Sequence, residues 1–123
     1  MVKLYAQAVG VSVVLIGVLG LLLGDKSLLG VLNIDIFEDF VHLVTGGALA
    51  YVGFAKVPER TAVAVVGAIG VAYLVIGVVG FFAEDLFGLV PSGYTVVDNV
   101  IHLVLGALGL MAVSAARRPA TTA

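Results

Sequence analysis

Two short stretches carry most of the side chains in this chain that could do chemistry: EDFVHLVTGG (residues 38–47) and DNVIHLVLGA (residues 98–107). Between them they hold both histidines, His42 and His102. Glu38 and Asp98 stand four residues before the histidines, and Asp39 and Asn99 stand three before. Residues three and four apart share a helix face, so this spacing predicts a carboxylate beside each imidazole and a second polar group flanking it.

Four kinds of chemistry fit such a set. The plainest is a polar clasp, in which each imidazole donates to a carboxylate or a backbone carbonyl and fixes how the helices dock. In the second, two imidazoles and two carboxylates converge on zinc, manganese or another divalent transition metal, for which both ligand types are suited. No H-E-x-x-H signature accompanies them. In the third, His42 and His102 are the axial ligands of a haem b, which would make a redox subunit; only Lys26 is placed to meet the propionates. In the fourth, carboxylate–histidine pairs relay protons or ions, although the other polar residues of the apolar stretches, Gln7, Ser12, Thr45 and Tyr73, are scattered. The clasp asks least of the sequence. It is the expectation, with no cofactor predicted and haem b or a divalent metal as alternatives. No catalytic residue is expected, since no serine has a nucleophile context and no Gly-rich phosphate loop is present.

The elements that must position these groups follow from composition. The chain is 62% hydrophobic and 11% charged, with a mean hydropathy of +1.24. An average soluble domain carries roughly 25% charged residues. A soluble core of 123 residues could not hide so much apolar side chain, so lipid is the expected solvent. Six basic against eight acidic residues leave no basic field for nucleic acid. The absence of cysteine excludes disulfides and thiolate chemistry.

About 20 apolar residues in helix cross a bilayer core of about 30 Å. Residues 4–23, 36–55, 62–83 and 96–116 meet that length and predict an all-α, four-helix membrane bundle in one domain. The first run is longer than a signal-peptide core and lacks an A-x-A cleavage site, so it is read as a retained span. Lys3, Lys56, Arg60, Arg117 and Arg118 lie at one set of span ends, while the opposite connectors hold Lys26 among Asp25, Asp35, Glu84 and Asp85. The positive-inside rule places both termini in the cytoplasm, in the inner membrane. Tyr5, Tyr51 and Phe54 are expected at the inner interface, and Phe37, Phe40, Phe81, Phe82 and Tyr94 at the outer one.

Shifting the chain by sixty positions aligns it with itself without a gap. LIGVLG (residues 15–20) falls on VIGVVG (residues 75–80), Asp25 on Asp85, and His42-Leu43-Val44 on His102-Leu103-Val104. Two tandem hairpin repeats, residues 1–60 and 61–120, are predicted, related by a pseudo-two-fold axis along the membrane normal. The histidines become symmetry mates at one depth. The connectors GDKSLLGVLNID (residues 24–35) and EDLFGLVPSGYT (residues 84–95) are too apolar for solvated loops, and are read as interfacial caps over the outer end.

Glycine is the expected packing surface, because lipid gives helices no hydrophobic reason to associate and close backbone approach must do so instead. Gly17 and Gly20, with mates Gly77 and Gly80, form a smooth stripe in each unit. Gly46 and Gly106 lie one turn after the histidines; they either pack helices or clear room for a flat ligand.

With connector and histidine in view, the chain resembles an uncharacterised bacterial membrane family, domain of unknown function 4383. The matching segments are LLGVLNIDIFEDFVHLVTG (residues 28–46) and LFGLVPSGYTVVDNVIHLVLG (residues 86–106), each ending in H-L-x-x-G. The resemblance implies a four-span bundle and brings no activity or cofactor. The family pattern often carries a further histidine before the motif; this chain has none there, which counts against a multi-histidine site. The functional expectation is a structural or accessory membrane protein, surrounded by lipid, working as a homo-oligomer or as a subunit of a larger complex.

Overall fold

Long runs of Ala, Val, Leu and Gly can satisfy their backbone polar groups only within themselves once water is excluded, and helix is how they do it. The computed structural model describes residues 1–23, 35–91 and 93–119. They form α1 (Val2–Leu23), α2 (Ile36–Phe54), α3 (Glu59–Phe82) and α4 (Val96–Arg117), with a short 3-10 turn (Leu86–Gly88) between α3 and α4 and no strand among the described residues. Pro58, Pro91 and Pro119 all fall outside the helices, as their missing N–H requires.

α1, α3 and α4 are long and apolar enough to cross a membrane. The predicted second span is the exception: α2 carries Glu38, Asp39 and His42 in its first two turns, which lowers its apolar character. Large apolar side chains point away from the protein on the three long helices, including Leu22 at 77%, Phe82 at 88% and Met111 at 63% exposure.

The helices pack as two intimate antiparallel pairs, α1 with α2 and α3 with α4. Glycine sets the approach in both. A Cβ at Gly46 would lie 2.8 Å from the Val14 amide nitrogen, and one at Gly106 would lie 2.7 Å from the Gly70 carbonyl oxygen. Gly46 and Gly106 are therefore filled by α1 and α3 and clear no room beside the imidazoles. Of the two roles open to them, packing is the one observed.

The buried positions repeat at an interval of sixty. On α1 they are Val2, Ala6, Gly10, Val13, Gly17 and Gly20; on α3 they are Ala62, Val66, Gly70, Tyr73, Gly77 and Gly80. On α2 they are Glu38, Asp39, Gly46, Leu49, Val52 and Gly53, and each has its counterpart on α4. His102 is the one addition.

An apolar core drawn from all four helices fills the end of the molecule near Val2, Leu49, Ala62 and Val113. The same end holds Lys3, whose Nζ donates to the carbonyls of Ala55 (3.1 Å) and Val57 (3.2 Å). Tyr5 is half-buried rather than purely interfacial, and its hydroxyl donates to the Leu105 carbonyl at 2.6 Å, linking α1 to α4. The polar residues that looked scattered are satisfied locally. Gln7 donates to Gly53 (2.8 Å), Ser12 to Ala8 (2.8 Å) and Thr45 to Val41 (2.7 Å). A threonine hydroxyl has one proton, so Tyr73 is the donor in its 2.8 Å contact with Thr45.

The described residues of the connector between α3 and α4, 83–91 and 93–95, fold inward. Val90 and Tyr94 are buried while Phe87 is 87% exposed. Leu86, Phe87 and Gly88 all take positive φ, and the Asp85 carboxylate accepts from the Phe87 amide to hold that bend. The predicted cap at residues 24–35, with Asp25 and Lys26, lies outside the described residues except for Asp35.

Candidate functional site

The first two turns of α2 and α4 lie at the end opposite the apolar core, and they bring six polar residues inside the protein. Glu38, Asp39, Asp98, Asn99 and His102 are all buried, and His42 is nearly so. Acidic groups in a first helical turn also face the positive end of the helix dipole, which favours them there.

Glu38 is the centre. Its Oε1 faces His42 Nε2 at 3.2 Å within α2 and His102 Nε2 at 3.4 Å from α4. Its other oxygen, Oε2, accepts a hydrogen bond from the Tyr94 hydroxyl. One carboxylate thus meets both imidazoles and a phenol, with the two ring centroids 6.4 Å apart. Tyr94 stands edge-on to His102 at 5.3 Å, and Tyr73 packs on the same ring at 5.6 Å.

The expected symmetry fails at one residue. Glu38 pairs with His42 as the four-residue spacing predicts, but Asp98 does not serve His102 in the same way. Asp98 is N3 of α4 and closes a capping box: its Oδ2 accepts from the Thr95 amide at 2.8 Å, while the Thr95 hydroxyl accepts from the Asp98 amide at 3.1 Å. The Asp98 carboxylate is thus engaged at its own helix end. His102 turns across to Glu38 instead.

Asp39 and Asn99 press into notches on the neighbouring helices. A Cβ at Gly20 would collide with the Asp39 carboxylate, and one at Gly80 with the Asn99 amide. Gly17 and Gly77 admit α2 and α4 in the same manner, against Leu43 and Leu103.

Tyr94 is the residue sequence reasoning misplaced. An aromatic before a predicted span reads as an interfacial anchor, yet Tyr94 is 5% exposed. Burial pushes its hydroxyl well above the ordinary tyrosine range, and the Glu38 carboxylate beside it adds to the shift. Tyr73 was likewise read only as a scattered polar group. The run Thr95-Val96-Val97-Asp98 has the spacing of a capping box, a signal that the expected pairing of Asp98 with His102 passes over.

Chemically, the arrangement offers one carboxylate oxygen and two imidazole nitrogens facing a common point, with a phenol holding the carboxylate in place. The Nδ1 atoms of both rings are buried and find no hydrogen-bond partner among the described residues. Glu38 Oε1 contacts both Nε2 atoms, and Gly46 and Gly106, one turn after the histidines, are filled by the neighbouring helices. Compared with known protein families, curated proteins and solved structures, the chain matches none.

Proposed function

We propose that this chain is a four-span protein of the cytoplasmic (inner) membrane, formed by tandem duplication of a helix hairpin, with a structural or accessory role. In this reading residues 1–60 and 61–120 are the two copies, related by a pseudo-two-fold axis along the membrane normal. The protein works as a homo-oligomer or as a subunit of a larger membrane complex. Kinship with the family of domain of unknown function 4383, suggested by the two H-L-x-x-G segments, belongs to the same proposal.

The observation that carries the role is the shared Glu38 carboxylate. It draws on His42 from its own half and on His102 and Tyr94 from the other, so it fixes how the halves dock. Removing one partner of a buried ion pair leaves an uncompensated charge, which makes such a clasp a strong determinant of assembly. The burial register repeated at sixty residues supports duplication. Crossing by α2 is supported by its antiparallel fit to α1 along most of its length, with its polar groups turned into the protein rather than toward lipid. Lys3, Arg60 and Arg117 at one end support cytoplasmic termini.

The cysteine-free sequence makes the topology directly testable. Single cysteines at Lys3, Lys56 and Arg118 should label only from the cytoplasmic face, and one at Asp85 only from the outside. Labelling of positions 3 and 56 from opposite faces would overturn the four-span reading. The accessory role predicts that His102→Ala changes the mass of the assembly extracted in mild detergent; an unchanged assembly contradicts it.

A further inference from the structure

The contacts that define the polar centre are long for what they are. Charge-assisted hydrogen bonds between nitrogen and a carboxylate run at about 2.7–2.9 Å, whereas His42 and His102 stand 3.2 Å and 3.4 Å from Glu38 Oε1. Those separations match a different geometry. Ligand atoms held about 2.0–2.1 Å from one zinc ion at tetrahedral angles lie about 3.3–3.4 Å from each other. One donor atom from each of Glu38, His42 and His102 lies within 4.8 Å of the other two.

We propose that Glu38, His42 and His102 bind one divalent first-row transition ion of the zinc class, through one carboxylate oxygen and one nitrogen of each imidazole. Two histidines and one carboxylate are a sufficient protein ligand set for such ions and leave a further position for water or an exogenous ligand. The outer support on the carboxylate side is present: Tyr94 donates to Oε2 and keeps Oε1 turned to the imidazoles. Charge also fits. A dication is opposed by the Glu38 carboxylate, and the buried carboxylates of Asp39 and Asp98 lie in the first turns of the same helices. The imidazole side is less well supported, since neither Nδ1 has a partner among the described residues. Each such missing contact weakens a metal site by about 10–100-fold, so affinity is expected in the micromolar rather than the nanomolar range.

The inference uses the same polar centre as the clasp but a different property of it, and the two are separable in one experiment. The full chain, in lipid nanodiscs and stripped with EDTA, is titrated with Co²⁺ and then Zn²⁺. One Co²⁺ per chain should bind with the visible absorption of a four-coordinate ion, be displaced by Zn²⁺, and raise the unfolding temperature of the wild-type protein. His42→Ala, His102→Ala and Glu38→Gln should each weaken binding at least tenfold, and Tyr94→Phe by about 10–100-fold. Absence of stoichiometric binding or of Zn²⁺-dependent stabilisation in the wild type overturns the proposal without relying on any variant. So does unchanged binding in the His42→Ala, His102→Ala double variant. If the wild type takes no metal but His102→Ala is destabilised in EDTA, the metal site falls and the clasp stands. If metal binds and His102→Ala in EDTA is as stable as wild type, the metal site stands and the clasp falls.

Discussion

His102, on α4, directs its Nε2 at the Oε1 of Glu38 on α2, 3.4 Å away, while the carboxylate one turn before it on its own helix, Asp98, caps that helix. The two halves of the protein match closely in which positions they bury, and they differ at the point where their polar groups meet. A single long carboxylate in one half does the work that two symmetric pairs were expected to share.

Glu38 should therefore be far more sensitive than Asp98. Glu38→Ala leaves two imidazoles and the Tyr94 hydroxyl facing each other without an acceptor, and a loss of about 3–5 kcal/mol is expected from breaking a buried pair on one side. Asp98→Ala removes a cap and should cost about 1 kcal/mol. Reversible unfolding in bicelles or detergent measures both; equal losses would contradict the assignment.

Thr95→Ala should resemble Asp98→Ala, because the two residues form one capping box. The double variant should lose little beyond either single one, since residues within one hydrogen-bonded unit are not additive. Unfolding free energies of the three variants decide this.

Tyr94→Phe keeps the ring against His102 and deletes the hydroxyl that donates to Glu38. A hydrogen bond to a charged group is worth about 1.5–3 kcal/mol. A loss in that range is predicted, whereas Tyr51→Phe, at a residue 64% exposed, should change stability little. A surface anchor at position 94 would give the reverse order.

Glycine substitutions separate the packing stripe from incidental glycine. Gly20→Ala and Gly80→Ala drive a methyl group into Asp39 and Asn99, and overpacking of this kind costs about 1–3 kcal/mol. Gly47 has nothing within 4 Å of its missing Cβ, so Gly47→Ala should be neutral or slightly stabilising through helix propensity. Thermal unfolding of the three variants gives the ranking.

Much of this was legible in the sequence because the determinants are local. The spans at residues 4–23 and 96–116 fall within α1 and α4, since a long apolar run is a local property of the sequence. α3 begins three residues earlier than its predicted span, at Glu59 directly after Pro58, because charged residues can occupy a first turn that is not itself apolar. The pairing of Glu38 with His42 follows from helix spacing, whereas that of Glu38 with His102 does not.

What escaped was decided by a helix cap and by folding of a connector. The spacing of Asp98 and His102 fits a partner, while Thr95 three residues before Asp98 fits a cap, and the structure takes the cap. Tyr94 could be placed in the centre only by knowing that residues 83–95 turn inward, a path that rests on the positive φ values of Leu86, Phe87 and Gly88. Tyr73 packs on His102 where the symmetry-related position in the other half holds Val13, a difference between the copies that a search for likeness passes over.

The central claim, that Glu38 ties His102 to the other half, is tested most directly by a double-mutant cycle on unfolding free energy, with EDTA present throughout. Glu38→Gln and His102→Ala should show a coupling of about 0.5–3 kcal/mol, while Asp98→Asn and His102→Ala should add to within about 0.5 kcal/mol. Coupling of His102 to Asp98, with none to Glu38, would contradict the account.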